Sequence, residues 1–194
     1  MSPRLLSFLV AAAFIAVIAV VVRTFRGWDL VRGEDGRPST SKAQWWIWTA
    51  LAIFGYVAVF VERWLRGNPG EIVEVPENLL LAMGFSAATM VVAKGVTASY
   101  AAQRLVDKRA TPAALGGLFT DDSGAPDLTK IQMLAFTAIA AFVYLVRLAT
   151  QGDATSLPVL IDIDPALMIL MGLSQGGYLG QKVAARGPAP QVQS

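Results

Sequence analysis

The sequence predicts an all-α fold, a multi-pass transmembrane helical bundle with five spans. One leading helix precedes a tandem duplicated helix-pair repeat with parallel pseudo-twofold symmetry. Three observations support this prediction. Of the 194 residues, 55% are hydrophobic and only 15% are charged, against about 25% charged in ordinary soluble domains. The apolar residues lie in five long blocks, and Glu34–Gly95 aligns without a gap on Asp122–Val183, at an offset of 88.

The leading helix is predicted over Leu5–Val22, where Ser7 is the single polar residue. At about 1.5 Å per residue such a helix is roughly 27 Å long, close to the thickness of the hydrocarbon core. The apolar region is too long for a secretory signal peptide, and no small-x-small cleavage site lies before Arg23. We therefore expect an uncleaved membrane anchor.

Four further apolar blocks predict the remaining spans. They are Trp45–Val61, Leu79–Val96, Met133–Ala149 and Ala166–Val183. The third and fifth spans have short purely apolar stretches, and each reaches spanning length only if Lys94 or Lys182 extends its ammonium group to the interface. A re-entrant hairpin is the alternative for these two segments.

The distribution of basic residues predicts the orientation of the bundle. Four of the 16 basic residues fall on one side: Arg4, Arg63, Arg66 and Arg147. The other twelve lie in the segments around 23–44 and 94–130 and in the tail from Lys182. Since Lys and Arg favour cytoplasmic loops, we expect an inner (cell) membrane protein with its N-terminus outside and its C-terminus in the cytoplasm.

The repeat contains fourteen identical pairs. Among them are Gly36/Gly124, Pro38/Pro126, Lys42/Lys130, Gln44/Gln132, Thr49/Thr137, Tyr56/Tyr144, Gly84/Gly172, Ser86/Ser174 and Lys94/Lys182. Each repeat is predicted to form a cytoplasmic turn, an outgoing helix, an acidic outer link and a returning helix. Two units with the same orientation are related by an axis along the membrane normal, and we expect the matching helix faces to pack the two halves together.

These patterns divide the chain into five segments. They are a leading transmembrane helix with a basic cytoplasmic segment (1–33), a first two-helix repeat (34–97), a cytoplasmic linker (98–121), a second two-helix repeat (122–183) and a disordered cytoplasmic tail (184–194). Each outgoing helix is preceded by an S/T-x-x-Q sequence, Ser41–Gln44 and Thr129–Gln132. This spacing predicts a capping box at each helix start.

The candidate functional residues lie on the two returning helices, as helix-packing or pore residues. They are Gly84, Ser86, Thr89, Lys94, Gly172, Ser174, Gln175, Gly176, Gly180 and Lys182. The glycines at 172, 176 and 180 form a small-xxx-small ridge, which permits close approach of helix backbones. Gln175 is expected near the bilayer centre, where its amide needs a partner. Interhelical hydrogen bonding is one interpretation, and a polar path for an ion or solute is the other.

The composition restricts the available chemistry. The chain contains no cysteine and no histidine, which excludes disulfides, Cys/His metal sites, Cys or His nucleophiles and His-based triads. We expect no catalytic site, cofactor or metal, and therefore no enzyme. The predicted function is a membrane-anchoring or assembly subunit acting through helix–helix packing, and the alternative is a small oligomeric ion channel or solute facilitator. The expected partners are the lipid bilayer and a second copy or another membrane protein, with no nucleic acid.

Overall fold

A computed structural model of the chain describes residues 1–25, 31–32, 38–69, 73–102, 115–120, 125–151 and 156–184. Within these ranges the protein is all-helical. The α-helices are α1 (Pro3–Thr24), α2 (Thr40–Leu65), α3 (Glu77–Ala102), α4 (Leu128–Thr150) and α5 (Pro165–Ala184), and a short 3-10 helix covers Leu115–Leu118. Two isolated bridges, Arg32 with Pro38 and Thr120 with Pro126, are the extended pairings in the described ranges.

Four of the described helices are long and apolar enough to cross a membrane. They are α1, α2, α3 as far as Val96, and α4. This result supports a membrane location. The third predicted span, for which a re-entrant hairpin was the alternative, is one of the four helices. The helix α5 is not among the four, so the fifth span stays a prediction.

The described α-helices pack together in neighbouring pairs. Helix α1 packs on α2, the sequential pairs α2/α3 and α4/α5 pack together, α2 contacts α4, and α3 contacts α5. Helices α2 and α4 run in the same direction. At the start of α2 the Thr40 hydroxyl donates to the carbonyl of Leu118 at 3.0 Å, in the 3-10 helix that precedes α4 in the chain. At its end Arg63 Nε donates to the Pro158 carbonyl at 2.8 Å, beyond the end of α4.

The predicted capping boxes are wrong. Asp127 is the N-cap of α4, and its carboxylate accepts hydrogen bonds from the backbone N–H groups of Thr129 and Lys130 at 3.0 and 3.2 Å. Helix α2 begins after Ser39, whose side chain makes no capping hydrogen bond. A carboxylate is a stronger acceptor than a hydroxyl at a positive helix N-terminus, and Gln44, assigned to the α2 box, is instead buried against α4.

The helix starts are displaced by the 88 residues that the predicted repeat requires. Thr40 and Leu128 begin α2 and α4, and Glu77 and Pro165 begin α3 and α5, each pair 88 residues apart. The predicted linker 98–121 begins inside α3, which continues to Ala102. The part of the linker over 103–114 and the tail beyond residue 184 lie outside the described residues.

Candidate functional site: two interhelical seams and an exposed glycine ridge

The seam between α3 and α5 joins two of the predicted site residues. The Thr89 hydroxyl donates to Gln175 Oε1 at 3.0 Å. The two side chains are buried, with 3% and 5% of their surface exposed. Because a buried amide without a partner is costly in an apolar surrounding, this hydrogen bond both satisfies part of the Gln175 side chain and ties the two returning helices together.

The two serines of the predicted polar path bond to their own helices. Ser86 donates to the Ala82 carbonyl and Ser174 to the Met171 carbonyl, each at 2.9 Å, and both side chains are buried. The hydroxyls of Ser86, Thr89 and Ser174 therefore all donate to protein acceptors. Hydroxyls bonded in this way are tolerated on helices in an apolar surrounding.

The glycine ridge, consisting of Gly172, Gly176 and Gly180, lies on the outer surface of α5. A Cβ atom placed on any of the three glycines meets no heavy atom within 4 Å. The space beside Gly84, the counterpart of Gly172 in the first repeat, is equally open. Among the described residues of this chain, therefore, no helix packs against the ridge.

The two repeated lysines lie toward the C-terminal ends of the returning helices. Lys94 is exposed in the second half of α3. Lys182 lies in the last turn of α5, and its side chain is outside the part of the chain that the structure describes.

A second seam, between α2 and α4, was not among the predicted sites. Gln44 Nε2 donates to the Thr137 hydroxyl at 2.8 Å, and both side chains are fully buried. Three other buried polar atoms of this seam have no hydrogen-bond partner among the described residues: Gln44 Oε1, Trp48 Nε1 and the Tyr144 hydroxyl. The sequence signal was only partial, because the repeated Gln and Tyr lie on one stripe of each outgoing helix, whereas the seam takes Gln44 from α2 and Tyr144 from α4.

The α2–α4 seam uses different faces of its two helices. Gln44 is buried and its counterpart Gln132 is exposed, whereas Tyr144 is buried and its counterpart Tyr56 is exposed. The expectation that matching faces pack the halves together is therefore not met for these helices. The physical reason is at Gly55. Its missing side chain makes room for the Tyr144 ring, but the position 88 residues later is a valine, which offers no such room.

A cluster of charged side chains lies where α2 ends. Glu62, with 2% of its side chain exposed, accepts hydrogen bonds from Arg66 and, at 3.4 Å, from Arg4 of α1. A second nitrogen of each guanidinium group, Nη1, donates to a backbone carbonyl: Arg4 to Ala149 at 3.2 Å, and Arg66 to Ser156 at 3.1 Å. We call Arg4, Glu62, Arg63 and Arg66 the charged cluster. Only the i, i+4 spacing of Glu62 and Arg66 signals it in the sequence.

All four basic residues at this end of the bundle bond to protein groups. Besides the three in the charged cluster, Arg147 donates to the Asp162 carbonyl at 3.4 Å. The acidic segment that precedes α5 also bonds to α3. The Asn78 amide donates to the Asp162 carboxylate at 2.9 Å and to the Ile163 carbonyl at 3.1 Å. The positive charge on this side of the bundle is thus engaged in structural contacts.

The described residues contain no group of three or more Asp and Glu side chains placed to hold a metal ion. Comparisons of the chain with protein-family models, with curated proteins and with solved structures find no match.

Proposed function

We propose that this chain is a non-catalytic integral membrane protein that anchors or assembles a membrane complex through helix–helix packing. The observation that carries the proposal is the glycine ridge on α5, which is open along its length and packs against nothing in the described chain. In lipid, the hydrophobic effect does not drive helices together, because the acyl chains around them are equally apolar. Helices associate there through close packing at small residues instead. A ridge left open on the surface therefore suits a helix of a second copy or of another membrane protein.

The tandem repeat is part of this proposal, and several hydrogen bonds support it. The backbone bond from Ser39 N–H to the Val31 carbonyl, at 2.9 Å, recurs between Asp127 and Phe119 at 2.8 Å. The bond from the Lys42 ammonium to the Arg32 carbonyl recurs between Lys130 and Thr120. Every one of these residues is displaced by 88 positions from its counterpart, so the turns that precede the two outgoing helices have the same local construction.

The proposed orientation places the N-terminus outside and the C-terminus in the cytoplasm of the inner membrane. It is supported by the basic residues at the end where α2 and α4 finish, since all four are engaged with protein groups. Reporter fusions after Arg66 and after Arg109 should give outside and inside signals respectively, because α3 crosses the membrane between them. Two signals from the same side would contradict this assignment.

A test of the assembly role is the substitution Gly176→Leu. We expect the leucine to hold the partner helix away from the ridge, at a cost on the order of 1–3 kcal/mol to the association. The oligomeric mass in mild detergent, measured by light scattering, should fall. The control is Ala166→Leu, which adds a similar side chain at an exposed position near the start of α5. An unchanged mass for Gly176→Leu would mean that the ridge faces lipid.

The second candidate function is a small oligomeric channel or solute facilitator. It is favoured by the α2–α4 seam, where Gln44 Oε1, Trp48 Nε1 and the Tyr144 hydroxyl are buried and lack partners among the described residues. Such groups suit bound water or a passing solute. We expect ion or solute flux in proteoliposomes to fall on Tyr144→Phe if this function is correct. Proteoliposomes that show no flux for many ions and voltages would contradict this function.

A further inference from the structure

An apolar groove lies between α1 and α2, near the C-terminal end of α1. Its volume is about 370 Å³, within the range of small-molecule binding pockets. The walls are apolar side chains of both helices. They include Ile15, Ile18 and Val22 from α1 and Ala50 and Ile53 from α2, and Arg23 also lines the groove.

The groove follows the bundle axis over about 12 Å, from Ile15 to Arg23, at about 1.5 Å per helical residue. Its shape and walls suit a hydrocarbon chain lying parallel to α1. Since α1 is the least buried of the four helices that qualify as spans, a membrane would surround this groove with acyl chains. The apolar part of its occupant is therefore a lipid chain.

The polar end of the groove carries positive charge and an indole. Arg23 lies in the last turn of α1 and is exposed, and its guanidinium makes no ion pair with the described residues. Trp46, on the first turns of α2, lines the groove beside it, and tryptophan is enriched at the level of lipid headgroups. A guanidinium pairs with phosphate through two parallel hydrogen bonds. This end contrasts with the charged cluster, where the basic side chains already bond to protein groups.

We propose that this groove binds one anionic phospholipid, with an acyl chain between α1 and α2 and its phosphate at Arg23. The lipid would fill the space between the leading helix and the first repeat and hold α1 on the bundle. This inference depends on the membrane location but not on the choice between assembly subunit and channel.

The test uses the full-length chain reconstituted in nanodiscs that contain equal amounts of phosphatidylglycerol and phosphatidylcholine. Native mass spectrometry of the released protein then counts the lipids that remain bound. We expect one retained phosphatidylglycerol, with a preference over phosphatidylcholine of about fivefold, as expected for one basic residue at the membrane surface.

Two pairs of variants separate the two parts of the site. Arg23→Gln should abolish the preference for the anionic lipid, whereas Arg147→Gln, at the opposite end, should leave it intact. Ala50→Leu should fill the groove and remove the retained lipid, whereas Ala138→Leu, at the equivalent but exposed position of α4, should retain it.

Three results would overturn the proposal. The first is equal retention of the two lipids by the unmodified protein, which would indicate that lipid fills the groove without recognition of its headgroup. The second is an unchanged lipid preference in Arg23→Gln. The third is equal loss of lipid in Ala50→Leu and Ala138→Leu, because the loss would then not come from the groove. Failure of the assembly role would instead appear as an unchanged mass in Gly176→Leu, with lipid retention unaffected.

Discussion

Replacing Gly55 with alanine is expected to destabilise the bundle by on the order of 1–3 kcal/mol, as overpacking of a filled interior does. A Cβ atom at this position would overlap the Tyr144 hydroxyl and approach Leu160 Cδ2 to 2.9 Å. The rigid Tyr144 ring has no flexible end to move aside, so α2 and α4 must separate. Helix propensity alone would predict the opposite result, a gain in stability, because alanine is the better helix former by about 1 kcal/mol. Reversible unfolding by SDS in mixed micelles measures the effect.

The double variant Gly55→Ala/Tyr144→Phe should recover much of the lost stability. Removing the hydroxyl deletes the closest contact of the new methyl group, and it also removes a buried polar atom without a partner. The matched control is Gly95→Ala in α3, where the added methyl meets nothing within 4 Å and stability should not fall. If the single and double variants lose the same free energy of unfolding, Tyr144 does not pack against Gly55.

Replacing Glu62 with glutamine is expected to cost about 3 kcal/mol. The Glu62 carboxylate is almost fully buried and bonds to both Arg4 and Arg66. Removing one partner of a buried ion pair leaves uncompensated charge, which costs 3–5 kcal/mol when burial is complete. The two arginines keep 24% and 19% of their side chains exposed, so we expect the lower end of that range.

The control for this substitution is Glu74→Gln, because Glu74 is exposed. Its loss in unfolding free energy should stay below about 0.5 kcal/mol, the usual limit for surface substitutions. Since Arg4 belongs to α1, Glu62→Gln should also make the first helix more accessible to proteases. Equal losses in the two variants would contradict the structural role of the charged cluster.

The sequence predicted the helices well because long apolar blocks leave few alternatives. The starts of the outgoing and returning helices are displaced by 88 residues, as the repeat predicts. Gln175 was expected to need a partner, and Thr89 lies within hydrogen-bond distance of it. The prediction for Gln175 depends on the cost of an unsatisfied polar group in an apolar medium.

The contacts between the two helix pairs were harder to predict because small local differences decide which faces meet. Gly55 leaves room for the Tyr144 side chain, whereas its counterpart at position 143 is a valine, which offers less room to Tyr56. The charged cluster was missed for a similar reason. It joins Arg4 to Glu62 across 58 residues, and no short-range pattern in the sequence connects them.

The helix starts show the limit of motif matching. The S/T-x-x-Q spacing fits a capping box at both outgoing helices, but Asp127, two residues earlier, supplies the cap of α4. Thr129 instead bonds to the Asp127 carboxylate at 2.6 Å. A charged acceptor close to the helix start outcompetes the hydroxyl, and the motif does not include that competitor.

We propose that the surface of α5 around the glycine ridge packs against another protein helix in the membrane. The most direct measurement places a photo-crosslinking amino acid at Leu173, which flanks the ridge and is 67% exposed, and irradiates native membranes. The matched control carries the same probe at Phe142 of α4, which is 68% exposed. We expect a discrete protein adduct from position 173, identified by mass spectrometry as a second copy or another membrane protein, and only lipid adducts from position 142. Lipid adducts alone from position 173 would contradict the claim.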